Sequence, residues 1–476
     1  MIVRPIFALV AGATLPLSAY ARSVTGDRVL VIHDPALEKT SYSQFWSSLE
    51  ERGYQLTFRG PKDAGTPLTS HERPNYDHVV LFGPTSKSFS NDITPASLVK
   101  FLSQPDDSST QGGNLLFVFD SSVSAFTREL AREFHVEIDE KGNTVADHFS
   151  HVTSLDDGSH TSIAVQSTNV DWAGLAVPAE REASLRTGAV AFKGIAHTVG
   201  YHPLIKPIAL ANPTTYAAGQ VSKGKKQSED VFASGESICL ASAMQARNNA
   251  RVAFVGSLEL FSDKFVETAS GNLPFVKELT KWTFQEQGVV KVLDVVHHRD
   301  SESPSTQLPE QYRVGEDVTY AIELSLYQDD TWHPFPSAEN LQLEFTMLDP
   351  HLRIPLLPVT PPLTGSSTSV SSIKSHAPST RYSASFRIPD RHGVFTFFVD
   401  YRRTGRFGTS GTLKGQGTSF ILAKKQVAVV PPRHDEYDRF IVGAWPWYAG
   451  AGSVSAAFLL FAALWLKVDL KDVKEQ

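Results

Sequence analysis

One cysteine in 476 residues, Cys239, excludes a disulfide within the chain. A translocated domain of this size without disulfides is unusual at the cell surface, and better suited to a resident of the secretory pathway braced by partners. Cys239 sits in an apolar stretch and reads as a packed thiol. No N-x-[ST] acceptor exists, because Asn212 is followed by proline. No long block of Lys and Arg occurs and the net charge is −7, which argues against nucleic acid as a partner. Charge is missing altogether from residues 445–466. As a helix that apolar run would extend about 33 Å, enough to cross a bilayer.

Trp445, Trp447 and Tyr448 lie at one end of the run, where amphipathic rings favour the headgroup level, and Lys467, Lys471 and Lys474 follow the other. At the opposite terminus Arg4 precedes an apolar segment, residues 5–17, and Ala19-Tyr20-Ala21 is a small-x-small cleavage pattern. This predicts a signal peptide over 1–21, cut after Ala21. The two ends imply a single-pass type I protein whose bulk is translocated. Arg433 and Arg439 nearly balance the lysines beyond the span, so the signal peptide, not the flanking charge, sets the orientation.

The first soluble part, 22–288, is expected to be an α/β domain on a doubly wound parallel sheet. Apolar runs at 28–34, 78–83 and 114–120 read as buried strands, each followed by a helix (41–51, 94–102, and one ending near Phe134), with a further strand over 54–59. Residues 251–256 predict a late strand of the same sheet and 275–284 a covering helix. Residues 145–235 are mixed and give no clear thread. From 289 to 430 the period becomes two: Val318, Tyr320, Ile322, Leu324 and Leu326 alternate with smaller or polar residues, and 341–347, 382–388 and 394–401 repeat the pattern. Strands joined by Pro- and Ser-rich turns predict an antiparallel β-sandwich. A connector (431–444), the transmembrane helix (445–466) and a cytosolic tail (467–476) complete the chain.

Bond-making chemistry finds no support. There is no G-x-G-x-x-G, P-loop, G-x-S-x-G, H-E-x-x-H or D-x-D, and metal-binding clusters are absent by spacing. No catalytic, cofactor-binding or metal-ligating residue is assigned. His297 and His298 are adjacent, so on a strand they point to opposite faces and cannot easily share an ion. Asp34 and Asp120 end predicted parallel strands, where doubly wound sheets place ligands, although loop-capping carboxylates are commoner there. Asp435, Glu436 and Asp438 form an acidic group before the span, read as a hydrated collar. Arg402, Arg403, Arg406 and Lys414 lie in a glycine-rich loop, a candidate for anionic headgroups or diphosphate that reads more simply as an exposed hairpin. In the span, Ala449, Ser453 and Ala457 recur every four residues, and Gly452 with Ala456 adds a second small-x-x-x-small pair. Such residues let helix backbones approach closely in lipid.

Several segments together resemble one known family: residues 45–54, 76–84, 112–120, 256–263, 282–288, 297–299, 342–345 with Asp349-Pro350, 399–401, 436–440 and 445–448. They are similar to the forty-eight-kilodalton subunit family of dolichyl-diphosphooligosaccharide–protein glycosyltransferase, in order along nearly the whole chain. The resemblance implies a type I protein of the endoplasmic reticulum membrane, within the complex that transfers a preassembled glycan from dolichyl diphosphate to asparagine. It implies an accessory role in assembly and full activity beside a ribophorin-type subunit, a small multispanning subunit and a separate catalytic subunit, with no cofactor of its own. Two alternatives stay open: a lumenal binding module for lipid-linked oligosaccharide or acceptor polypeptide, and a tethered hydrolase or transferase at Asp34 and Asp120. The tail carries a lysine third from the end but no lysine pair, which favours retention by partners over retrieval.

Overall fold

The computed structural model describes residues 22–63, 65, 67–70, 73–103, 112–200, 202–219, 231–301, 308–336, 341–359, 378–403, 418–433 and 442–472. Signal peptide 1–21 with its cleavage after Ala21, the acidic group at Asp435, Glu436 and Asp438, the loop residues Arg406 and Lys414, and Lys474 lie outside them.

The head is built on a nine-stranded sheet. Its strands are β1 (Arg28–His33), β2 (Gln55–Arg59), β3 (His78–Phe82), β4 (Asn114–Val118), β5 (Val136–Ile138), β6 (His197–Val199), β7 (Ile205–Leu210), β8 (Cys239–Gln245) and β9 (Arg251–Val255). The order is β2-β1-β3-β4-β9-β8-β6-β5, with β7 also paired to β8. Strands β2, β1, β3, β4 and β9 run parallel. From β9 outward every pairing is antiparallel. The sheet is therefore mixed, which corrects the expected parallel sheet. Long runs buried on both faces mark a central strand but carry no information about its direction, and two of the four strands of the antiparallel part, β6 and β7, lie in the stretch that sequence periodicity left unthreaded.

Helices cover both faces of the parallel part. Helix α1 (Ser43–Glu50) turns Phe45, Trp46 and Leu49 onto the face carrying Val29, Val31, Val80 and Phe82. On the other face α2 (Pro95–Leu102) and α3 (Ala125–Arg132) bury Leu98, Phe101 and Leu130 against Leu30, Leu81 and Phe117. Thr94 and Ser97 form a reciprocal capping box at the start of α2, with proline in its first turn. Helix α4 (Asn272–Thr283) returns to the first face through Phe275, Val276 and Leu279.

The second domain holds β10 (Val289–Arg299), β11 (Gln311–Arg313), β12 (Asp317–Gln328), β13 (Thr331–Pro334), β14 (Leu341–Thr346), β15 (His351–Pro355), β16 (Leu357–Pro358), β17 (Thr380–Arg387), β18 (Gly393–Arg403) and β19 (Thr418–Val430). They form two five-stranded sheets, β10-β12-β17-β16 with β13 on β12, and β11-β19-β18-β14-β15. All pairings are antiparallel except β11 with β19. The alternating residues Val318, Tyr320, Ile322 and Leu324 of one sheet meet Leu343, Phe345, Phe395 and Phe397 of the other in a single core. Period-two burial on each strand is what a layer wet on one side requires.

Helix α5 (Trp445–Asp472) stands apart. Its segment Trp445–Lys467 is long and apolar enough to span a membrane, and none of it is buried within the chain.

Candidate functional site

The first position to inspect is the carboxyl end of the parallel strands, between β1 and β3, where the chain order reverses and open α/β sheets leave a ligand crevice. Here the chain fills that crevice itself. Asp34 Oδ2 accepts the amide of Thr85 at 3.1 Å and also the Thr85 hydroxyl, while Oδ1 accepts the Ala36 amide at 3.0 Å. Burial alone would raise the Asp34 pKa. The Thr85 hydroxyl and the two amides outweigh it and hold the carboxyl below its ordinary value. At the end of β3, Gly83 adopts φ +57, and a Cβ there would lie 2.7 Å from Leu258 Cδ1 and 2.8 Å from Leu37 Cδ1. Glycine at that turn thus admits two leucine tips that stopper the opening. Asp34 is a loop clamp bridging β1 to β3.

Asp120, at the end of β4, is different. Burial pushes its pKa up to about 6, with Glu259 adding to the effect, and Tyr42 beside both carboxylates is raised to about 12 by burial, then by Glu259 and Asp120. The carbonyl of Asp120 accepts the Val123 amide at 2.9 Å in the turn leading to α3. Asp34 is bonded to Thr85 and Asp120 lies near Glu259 and Lys193, and the two aspartates do not form a hydrogen-bonded pair of the kind acid–base chemistry uses.

The other singled-out residues are placed as packing. His297 is 1% exposed, its Nδ1 lies 2.6 Å from the Tyr312 hydroxyl, and its ring stacks on Phe397 at 5.0 Å. Burial, then Lys425 and His298, lowers its pKa to about 4, so it is neutral in the sandwich core. Cys239 is buried on β8, and burial pushes its thiol up to about 12. Iodoacetamide should leave Cys239 of the folded chain unmodified at pH 7.5 and label it fully in urea, because only the thiolate reacts. Mass measurement showing labelling of the native chain at the rate of a free thiol would contradict this. Arg402 and Arg403 lie in the last turnward residues of β18. On α5, Ala449, Gly452, Ser453, Ala456 and Ala457 are exposed, and nothing lies within 4 Å of a Cβ built on Gly452.

What the structure builds with most care is the seam between the domains. Arg251 is fully buried and its guanidinium donates to the carbonyls of Trp282 (2.7 Å), Gln287 (2.8 Å) and Gly288 (2.7 Å), lying 4.9 Å from the Trp282 ring centre. Arg52 meets Glu286 at 2.6 Å in a buried ion pair, and the Tyr54 hydroxyl donates to the same carboxylate at 2.7 Å. Arg181, paired with Glu278 inside the head, crosses the seam to Asp329, Arg22 pairs with Asp330 at 3.3 Å, and Gln328 donates to the Ala176 carbonyl at 3.2 Å. Ile421 of β19 donates to the Arg247 carbonyl at 3.0 Å. In the Gln-Glu-Gln-Gly segment, 285–288, the side chains of Gln285, Glu286 and Gln287 close the head on itself, and the Gly288 amide reaches across to Gln328 Oε1, a division of labour that polar composition alone did not disclose.

The chain matches the family "OST48, N-terminal domain" over residues 20–286 and the "OST48 middle domain" over 297–469. The chain belongs to the OST48 family. Among OST48 relatives, the 48 kDa subunit of dolichyl-diphosphooligosaccharide–protein glycosyltransferase from Caenorhabditis elegans is 32% identical over 453 residues, covering 92% of this chain and 91% of that one. The subunit of the same name from Arabidopsis thaliana is 32% identical over 476 residues, covering 96% and 98%. Among solved structures, the mmIFT52 N-terminal domain aligns at 11% identity over 54% of this chain and 96% of that one, with a TM-score of 0.38, too loose a likeness to bear on OST48 function.

One cluster lay hidden from sequence spacing. His151, Asp156 and His160 each bring one potential ligand atom within 4.8 Å of the others. The signal was a H-x2-H-x4-D-x3-H run beginning at His148, in the stretch that gave no thread.

Proposed function

We propose that the chain is a non-catalytic accessory subunit of the oligosaccharyltransferase complex, required for assembly and full activity in moving the preassembled glycan from dolichyl diphosphate to asparagine of N-x-S/T. The single observation that carries this reading is membership of the OST48 family across both soluble domains and into the span. The crevice stoppered by Leu37 and Leu258 and the clamped Asp34 support it, because chemistry at the strand ends would need that opening. The protein sits in the endoplasmic reticulum membrane as a single-pass type I chain, with 22–444 lumenal, 445–466 in the bilayer and 467–476 cytosolic. The signal peptide is removed after Ala21. Domain limits of 22–288 and 289–430 agree with the end of the Arg251 contacts at Gly288 and the start of β10. Its partners are a ribophorin-type subunit, a small multispanning subunit and the catalytic subunit. The open face of Ala449, Gly452, Ser453, Ala456 and Ala457 packs against a neighbouring helix, where small residues permit close backbone approach.

Depletion followed by re-expression tests the whole. Cells lacking the chain should under-glycosylate N-x-T reporters and lose catalytic subunit from the native complex, and the full-length chain should restore both. Transfer of glycan to an N-x-T peptide by the purified chain alone, or a complex of normal composition and activity without it, would refute the reading.

A further inference from the structure

Between the ladder of residues Asn143–Ala146 with Tyr216–Gly219 and that of Ile163–Val165 with Val190–Phe192 the head carries a loop, residues 147–162, with a small core of its own. Leu155 packs there on Ala191 and Phe265, with Val152 and Ala269 at the edge. So few apolar contacts give a loop little burial to hold it, and compact segments with small cores are the ones that benefit from a metal or a covalent staple.

His151, Asp156 and His160 meet inside this loop. The His160 Nδ1 to Asp156 Oδ2 distance is 3.4 Å, and the two imidazole rings are 4.3 Å apart between centres. Ligand atoms bound to zinc at about 2.0–2.1 Å in a tetrahedron lie about 3.3–3.4 Å apart. One edge of such a site is thus already at its final length, and the 4.8 Å limit on the others leaves a small side-chain rotation to close it. Among the described residues, His151 Nδ1, His160 Nδ1 and Asp156 Oδ1 are all buried without a hydrogen-bond partner. Polar atoms buried without a partner are costly unless something joins them.

The backbone holds the donors in place. Asp156 Oδ2 accepts the amides of Gly158 at 3.0 Å and His160 at 3.2 Å, which fixes the carboxylate toward the His160 ring. Asp156 exposes only 5% of its side chain. His160 takes φ +57, a left-handed conformation that histidine adopts more readily than most residues, and its carbonyl accepts the Asp147 amide at 3.0 Å. His151 is bridged to Ile163 in antiparallel register. His148 lies beside them, its ring 5.0 Å from that of His160 and its Nε2 2.8 Å from the Tyr216 hydroxyl. It is near enough to supply a fourth ligand by rotation.

From these contacts we infer that His151, Asp156 and His160 form a binding site for one divalent transition-metal ion, zinc in the first instance, that fastens the 147–162 loop to the head. Two imidazoles and one carboxylate suit zinc, whereas calcium and magnesium are held by oxygen donors. The site is structural: it crosslinks a loop and carries no step of glycan transfer.

The test uses the full chain in detergent, stripped with chelator and reloaded with zinc(II) alone. One zinc per chain should remain after desalting, X-ray absorption should show nitrogen and oxygen neighbours at about 2.0–2.1 Å, and thermal unfolding should shift upward with zinc. Cobalt(II) loaded into the unaltered chain should give ligand-field bands of a tetrahedral ion, a readout that needs no variant. Zinc affinity should fall at least roughly 10–100-fold in His151→Gln and in His160→Gln, and stay unchanged in His135→Gln, which alters the separate stacked pair His135 and His202. No stoichiometric zinc, octahedral cobalt with oxygen donors only, or affinity unchanged in both loop variants would overturn the assignment. Calcium binding in place of zinc would do so equally.

Discussion

Replacing Arg251 with methionine is expected to destabilise the head by about 3–5 kcal/mol, because three buried carbonyls lose their donor together. Methionine matches much of the side-chain volume but donates no hydrogen bond, so the carbonyls of Trp282, Gln287 and Gly288 lose a buried donor at once. Each such loss costs about 1–3 kcal/mol. A domain has only about 5–15 kcal/mol to lose, and the chain should accumulate poorly. Arg251→Lys should recover only part of the loss, since a single ammonium cannot reach three carbonyls in the fork geometry of a guanidinium. Urea midpoints measured at constant slope check this, and a change below about 1 kcal/mol for the methionine variant would show that the network is not structural.

Acid should weaken the protein sharply below pH 6.5. Burial lowers His78 to about 4, His197 to about 3 and His297 to about 4. Burial is the main cause in each case; the Gly26 carbonyl at 3.1 Å from His78 works against it, and the Ser242 and Tyr312 hydroxyls lie 3.0 Å and 2.6 Å from His197 and His297. These folded values lie below that of the unfolded chain, so between about pH 6.5 and pH 4 the unfolded state binds more protons. Stability is complete above 6.5 and declines as pH falls. Asp120 works the other way: its folded value of about 6 exceeds the unfolded one, so below pH 6 it returns one proton's worth of stability. Near pH 5, where the difference approaches two uncompensated protons, the slope should approach about 2.7 kcal/mol per pH unit, and it should be shallower toward pH 6 and pH 4. Denaturation at closely spaced pH values tests it. The His197→Gln variant should flatten the slope by about one proton, and a flat profile across that window would sink the account.

Much of the fold was legible because burial leaves a periodic trace. The apolar runs at 28–34, 78–83, 114–120 and 251–256 all became central strands, and the alternation from Val318 to Leu326 became the sandwich core. Strand direction was not legible. A strand buried on both faces looks the same whichever way it runs, and β8 departs from its neighbours only in how the intervening chain returns. The short pieces β5 and β6, three residues each, hold too few side chains to display a period. At the strand ends, Asp34 was found by position, but its meaning lay in Thr85, fifty-one residues away. The histidine cluster was concealed for a related reason: His151, Asp156 and His160 converge through a left-handed turn at His160 that no periodic template describes.

Gly288 is the last acceptor of the Arg251 fork, its amide donates to Gln328 Oε1 at 3.2 Å, and β10 begins at the very next residue. The two lumenal bodies consequently have no slack between them. A push on the sandwich is felt at Trp282, and elongating the chain at this point with flexible residues would disconnect the motion of one half from the other, leaving both folded yet mechanically uncoupled.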